Sequence, residues 1–71
     1  MGQTPIDEED RLLTRAEVEL RFGFPTKRFL ELAANRGDGP PFVRFGRFVR
    51  YRVRDIRDWI EAHRTDPARI G

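Results

Sequence analysis

The run Gly37-Asp38-Gly39-Pro40-Pro41 can belong neither to a helix nor to an interior strand. Its two glycines lower helix propensity, and its two prolines fix φ and donate no backbone hydrogen bond. It therefore cuts a 71-residue chain into two segments that must each build their own elements and then pack together. A chain of this length makes one domain, and a fold of about 60 residues buries only about 60 per cent of its unfolded surface. There is no cysteine, so neither disulfides nor thiolate-bound metal supplement that small core.

Ahead of the break, residues 1–11 mix Gly and Pro with the acidic run Asp7-Glu8-Glu9-Asp10 and are expected to form a flexible acidic tail. Leu12-Leu13-Thr14-Arg15-Ala16-Glu17 follows: an apolar lead-in, a hydroxyl N-cap and a glutamate three residues on, the pattern of a capping box with a hydrophobic staple. A first helix is predicted over about Arg15 to Phe22, with Val18 and Phe22 on its buried face and Gly23 as its left-handed stop. Leu20 falls off that stripe. Phe24-Pro25-Thr26 reads as a turn into a second helix that ends near Asn35. Phe29, Leu32 and Ala33 recur at helical spacing and are assigned to its inner face, which turns Thr26, Lys27, Leu30, Glu31 and Ala34 elsewhere. Two short helices joined by a Gly-containing turn are a helix-turn-helix candidate.

Beyond the break, Phe42 to Tyr51 contains two β-prone runs around Gly46, a hairpin signal. A two-residue turn, Gly46-Arg47, would put Val43, Phe45, Phe48 and Arg50 on one face and bury an arginine. A three-residue loop, Gly46-Arg47-Phe48, instead gathers Val43, Phe45, Val49 and Tyr51 against the core, and this register is the one expected. It leaves Phe42 and Phe48 beside outward-facing arginines. Ile56, Trp59, Ile60 and His63 then form one stripe of a third helix, about Arg54 to Arg64, capped weakly by Val53 and helped by Asp55 in its first turn. Trp59 is expected in the core, and His63 near the helix end rather than on a metal. Residues 65–71, broken by Pro67, read as a C-terminal tail. The predicted fold is thus mainly α with a small β-hairpin, over residues 12–64.

Fourteen Lys plus Arg face twelve Asp plus Glu, a formal net charge of only +2, but the charge is unevenly placed. Arg44, Arg47, Arg50, Arg52 and Arg54 follow one another with no acid among them, and clustered arginine is how a small protein meets phosphate. Enzymatic readings fail early. There is no Ser or Cys, one His and one Tyr, which leaves no nucleophile-and-base pair, and no phosphate-cradling glycine loop is present. Glu17 with Glu19 and Asp55 with Asp58 read as solvated helix faces. Neither cofactor nor metal is expected. No apolar run approaches membrane-spanning length and the N-terminus is acidic where a signal peptide is basic, so a cytoplasmic chain is expected.

Helix, turn, helix, Gly-Pro loop, arginine-rich hairpin, helix is the order of a minimal winged helix-turn-helix with three helices and a two-stranded wing. Over Leu12 to Arg64 the stretches LLTRAEVELRFGF, GPPFVRFGRFVRY and RVRDIRDWIEAHR resemble the small MerR-like winged-helix family, which includes excisionases (recombination directionality factors) and AlpA-type regulators. The resemblance implies that the second helix enters the major groove of duplex DNA and that the wing reaches an adjacent minor groove or its phosphates. Groove dimensions suit a helix, and the negative potential of a narrow minor groove suits arginine. Carried onto this chain, the recognition-helix positions are Thr26, Lys27, Arg28 and Glu31, with Lys27 toward guanine or phosphate and Glu31 toward cytosine. The wing positions are Arg44 and Arg50 as phosphate clamps, Arg47 at the tip, and Phe48. Arg52 and Arg54 are further phosphate candidates. Three roles stay open for Phe48: stacking on a sugar or wedging at a base step, contacting a neighbouring protomer, or folding back on its own wing.

The resemblance implies a non-catalytic architectural protein that promotes excision by a separate integrase, with head-to-tail self-association on DNA. A promoter-binding AlpA-like regulator is the alternative. A protein-interaction module using Phe42, Phe48 and Leu30 is the second.

Overall fold

The computed structural model describes residues 7 to 65 and contains three helices and a three-stranded antiparallel sheet. Helix α1, Arg15–Phe22, begins where the sequence signals it. The Thr14 hydroxyl accepts the Glu17 backbone N–H at 3.1 Å, and the Glu17 carboxylate accepts the Thr14 N–H at 2.8 Å. Leu13 before the cap and Val18 inside the helix are both in the core cluster, as a hydrophobic staple requires. Gly23 closes the helix at φ 81°, a value that costs an L-residue energy.

Helix α2, Lys27–Arg36, is capped by Thr26, whose hydroxyl accepts the Phe29 N–H at 3.1 Å. Its buried face differs from the expected one. Leu30 and Ala33 are buried, Phe29 is half-buried, and Leu32 is 43% exposed. The stripe is rotated by about one residue, because the central packing partners lie toward Leu30. That side chain joins Leu13, Val18, Tyr51, Val53 and Ile56, whereas Phe29 turns to the rings of Phe24 and Trp59 at 4.9 and 5.7 Å.

Strand β1, Leu12–Leu13, pairs with β3, Phe48–Arg52, which in turn pairs with β2, Val43–Phe45. The first strand was not expected, and it raises the two-stranded hairpin to a three-stranded sheet. The hairpin register is also corrected. Val43 faces Arg50, Arg44 faces Val49 and Phe45 faces Phe48, so the loop is the two-residue Gly46-Arg47 and Phe48 lies in the strand. Gly46 at φ 63° followed by a residue of negative φ is what a glycine-first hairpin turn demands. Because strand side chains alternate, Leu13, Tyr51 and Val49 point to the core, and Leu12, Arg52, Arg50, Val43, Phe45 and Phe48 share the outer face. The objection to this register assumed that the Arg50 face is buried. It is instead largely open, with Phe45 and Phe48 53% and 55% exposed.

Helix α3 spans Val53–Ala62, with Arg52 rather than Val53 at its cap. Val53 is fully buried, and its N–H donates to the Arg11 carbonyl at 3.0 Å. Ile56 is core, Ile60 packs against the core, and Trp59 is only half-buried. His63 is exposed at the helix end, its Nδ1 2.8 Å from the Trp59 carbonyl oxygen.

The acidic run is not a free tail over its described part. Glu8–Asp10 forms a turn of 3₁₀ helix capped by the Asp7 carboxylate, and it lies against α3. Residues 1–6 and 66–71, and with them most of both expected tails, lie outside the described residues. Among the described residues no helix is long and apolar enough to cross a membrane.

Candidate nucleic-acid interface

Ion pairing sorts the arginines into two groups. Arg21 pairs with Glu8, Arg54 with Asp10 at 3.0 Å, Arg57 with Glu9 at 2.6 Å, Arg36 with Asp38 at 3.2 Å, and Arg11 and Arg64 have carboxylates at 3.8 Å. Among the described residues, those without a carboxylate partner are Arg15, Arg28, Arg44, Arg47, Arg50 and Arg52, and the last four belong to the β2–β3 hairpin. Arg15 is engaged otherwise, its Nε 3.3 Å from the Tyr51 hydroxyl. Carboxylates pair most of the helix arginines, with Arg15 and Arg28 excepted, and pair none of the hairpin arginines among the described residues. Positive potential is thereby concentrated on one protruding element in a chain of net charge +2.

The hairpin holds its guanidinium groups in defined places. Arg50 is half-buried, and its Nη1 donates to the Val49 carbonyl at 2.9 Å. The guanidinium carbons of Arg47 and Arg50 each lie 5.8 Å from the Phe48 ring centroid, and that of Arg44 lies 5.8 Å from Phe42. Such contacts restrict a long side chain while leaving its N–H groups directed to solvent. Phe48 does fold onto its own hairpin in this sense, yet more than half of the residue stays exposed, opposite Phe45. Phe42 packs on Tyr51 at 5.8 Å. Arg44 projects from the other face of the hairpin, so the two phosphate-clamp candidates point to opposite sides.

On α2 the recognition-helix positions are not equally available. Thr26 is used by its cap, and Lys27 Nζ lies 4.0 Å from the Glu31 carboxylate one turn on. The Lys27 backbone N–H donates to Glu19 at 2.8 Å, which ties the start of α2 to α1. Arg28 is exposed and without an acidic partner among the described residues. Arg54, a phosphate candidate in the sequence, is occupied by Asp10, whereas Arg52 is exposed and has no acidic partner among the described residues.

Two features escaped the sequence. Phe45 was placed in the core and is instead an exposed neighbour of Phe48; the two-residue turn was the signal for it. Phe24, Phe29, Trp59 and Ile60 line an apolar groove of about 590 Å³, formed where side chains expected in the core stop short of full burial. Among the described residues no group of three or more His, Cys, Asp or Glu is placed to hold a metal ion. The Glu17 carboxyl is held below the ordinary value of 4.5 by the Thr14 backbone N–H and then by the Thr14 side chain, with added attraction from Arg50 and Arg11. Comparisons with protein-family models, with curated proteins and with solved structures found no match.

Proposed function

We propose that this chain is a duplex DNA-binding protein of the winged helix-turn-helix kind, with α2 in the major groove and the β2–β3 hairpin on the neighbouring minor groove and phosphates. The observation that carries the reading is the segregation of charge. Among the described residues, Arg44, Arg47, Arg50 and Arg52 lack acidic partners, while six of the eight arginines outside the hairpin, all but Arg15 and Arg28, have carboxylates within 4 Å. The third strand is compatible with this role, because β1 pairs with the base of β3 beside Arg52 and leaves the Gly46-Arg47 tip projecting. On α2, Arg28 and the Lys27–Glu31 pair are the side chains offered to base edges.

Within that class, the resemblance over residues 12–64 supports an excision factor: a non-catalytic protein that binds repeated sites, bends DNA and biases a separate integrase toward excision. A single module of this size buries about 600 to 1,000 Å² on DNA, so occupancy would rest on copies bound side by side. A promoter-binding regulator would use the same contacts. The interaction module is weakened, because Leu30 is buried and Phe42 packs on Tyr51.

Capture of fragmented genomic DNA from the source at physiological salt, followed by sequencing, separates these readings. Enrichment at the junctions of an integrated element is expected. Enrichment at promoters alone would replace the excision reading by the regulatory one, and no enrichment would remove DNA binding. In the same preparation Lys27→Ala should change which sequences are enriched, since the lysine stands where base edges would be read.

A further inference from the structure

The geometry points to a second phosphate-binding surface, formed by Arg21, Arg54 and Arg57 and occupied by the chain's own carboxylates Glu8, Glu9 and Asp10. This rests on the duplex-binding reading above and extends it to a surface that reading leaves out. Three consecutive acids each take a different guanidinium: Glu8 takes Arg21 at the end of α1, Glu9 takes Arg57 at 2.6 Å, and Asp10 takes Arg54 at 3.0 Å. Arg54 and Arg57 stand three apart on α3 and so share one helix face. Three guanidinium groups thus converge on a single 3₁₀ turn whose residues rise about 2 Å each. An array that holds three closely spaced anions suits a run of backbone phosphates.

The cluster also continues the open one. Arg50 and Arg52 end β3, and Arg54 and Arg57 begin α3 directly after it. With the acidic turn in place, the cationic surface stops at Arg52. With the turn displaced, it runs on across the start of α3 to the end of α1.

The turn is built to be displaceable. Its backbone is held only by local bonds, Glu9 N–H to the Asp7 carboxylate and Asp10 N–H to the Asp7 carbonyl, both at 2.9 Å, and Arg11 N–H to the Glu8 carbonyl at 3.2 Å; the bond from Val53 N–H to the Arg11 carbonyl anchors the chain just after it, and none of its residues is buried. The arginine side chains of its ion pairs are 37% to 53% accessible, so other anions reach them, and the pairs of Glu8 and Asp10 are the readier to exchange because the Glu9 Oε1 that takes Arg57 is itself buried. The acids therefore act as an internal competitor. Phosphates of a duplex of indifferent sequence meet a neutralised surface, and only a duplex held tightly through the base contacts of α2 gains further contacts by driving the turn away.

The test uses the whole chain, a random-sequence duplex and the variant Glu8→Gln/Glu9→Gln/Asp10→Asn. Affinity is measured between 50 and 200 mM salt. Freeing three guanidinium groups for phosphate should steepen the logarithmic salt slope by about 2.7, an added loss of affinity of about 40-fold across that range. Adding Arg54→Gln/Arg57→Gln should remove about 1.8 of that slope in the neutralised chain and little in the wild type. An unchanged slope in the neutralised chain, or an equal effect of the arginine changes in both backgrounds, overturns the inference, since the second outcome is simple long-range charge. A wild type whose duplex binding does not respond to salt removes the DNA-binding reading as well. If thermal melting shows the triple variant unfolded, Glu9→Gln alone is used, with a slope change of about 0.9 expected and no change overturning the inference.

Discussion

Gly39 stands where no larger residue fits. An added Cβ would lie 2.7 Å from the Ala33 Cβ, and that atom is fixed to the α2 backbone and cannot rotate away. The loop after α2 is thereby pressed onto the helix at the point where Pro40 is also buried. Gly39→Ala should destabilise by about 1 to 3 kcal/mol, the usual cost of forcing atoms into a packed contact. Against a total of roughly 4 to 10 kcal/mol for a chain of this size, urea unfolding will register the loss, and an unshifted midpoint would mean that the loop gives way freely. The sequence marks Gly39 only as a helix breaker. Contact with Ala33 is invisible there because it depends on how the loop returns across α2. Leu30 and Leu32 illustrate the same limit: both are apolar and two apart, and only the position of Tyr51 and Ile56 decides which one is buried.

At the scale of elements, the start and stop signals of α1 were legible, whereas the cap of α3 and the hairpin turn were misread. The bounds of α1, its Thr14 cap, its Glu17 partner and its Gly23 stop all follow from residues within one turn of each other. The capping box also makes stability depend on pH. Because the folded-state value of Glu17 is depressed, its ionised form favours folding above the ordinary carboxylate value of 4.5, and that contribution disappears as pH falls through the lower folded value. Gln preserves the hydrogen-bond acceptor but not the charge. The stability gap between wild type and Glu17→Gln should therefore be larger at pH 7 than at pH 3, measured by urea unfolding at both; equal gaps would show that the charge contributes nothing. Elements assembled from distant residues were not legible. Strand β1 exists only because Tyr51 and Arg52 pass beside Leu13 and Leu12, and the hairpin register was misread because the outer sheet face was assumed to be buried.

Across the whole molecule, the side chains that hold the fold and those offered to a ligand are separate sets. Leu13, Val18, Leu30, Tyr51, Val53 and Ile56 form the core, and none of the hairpin arginines touches on that role. The arginine cluster was visible in the sequence, but the acidic partners that neutralise Arg21, Arg54 and Arg57 lie far away along the chain and were not. This separation gives opposite expectations for two variants. Leu30→Ala removes a fully buried side chain and should cost about 2 to 5 kcal/mol, enough to leave a substantial unfolded fraction. The DNA affinity of its remaining folded molecules should keep the wild-type salt slope. Arg44→Gln/Arg47→Gln alters exposed residues without carboxylate partners among the described residues, so the melting temperature should stay within a few degrees of wild type. Its salt slope should fall by about 1.8, with weakening shared by all duplex sequences, because phosphate contacts carry no base information. Calorimetry for melting and fluorescence anisotropy for binding test both variants on the same samples. A loss of stability in the arginine variant equal to that of Leu30→Ala would show that the hairpin charges are part of the fold and would remove them from the interface.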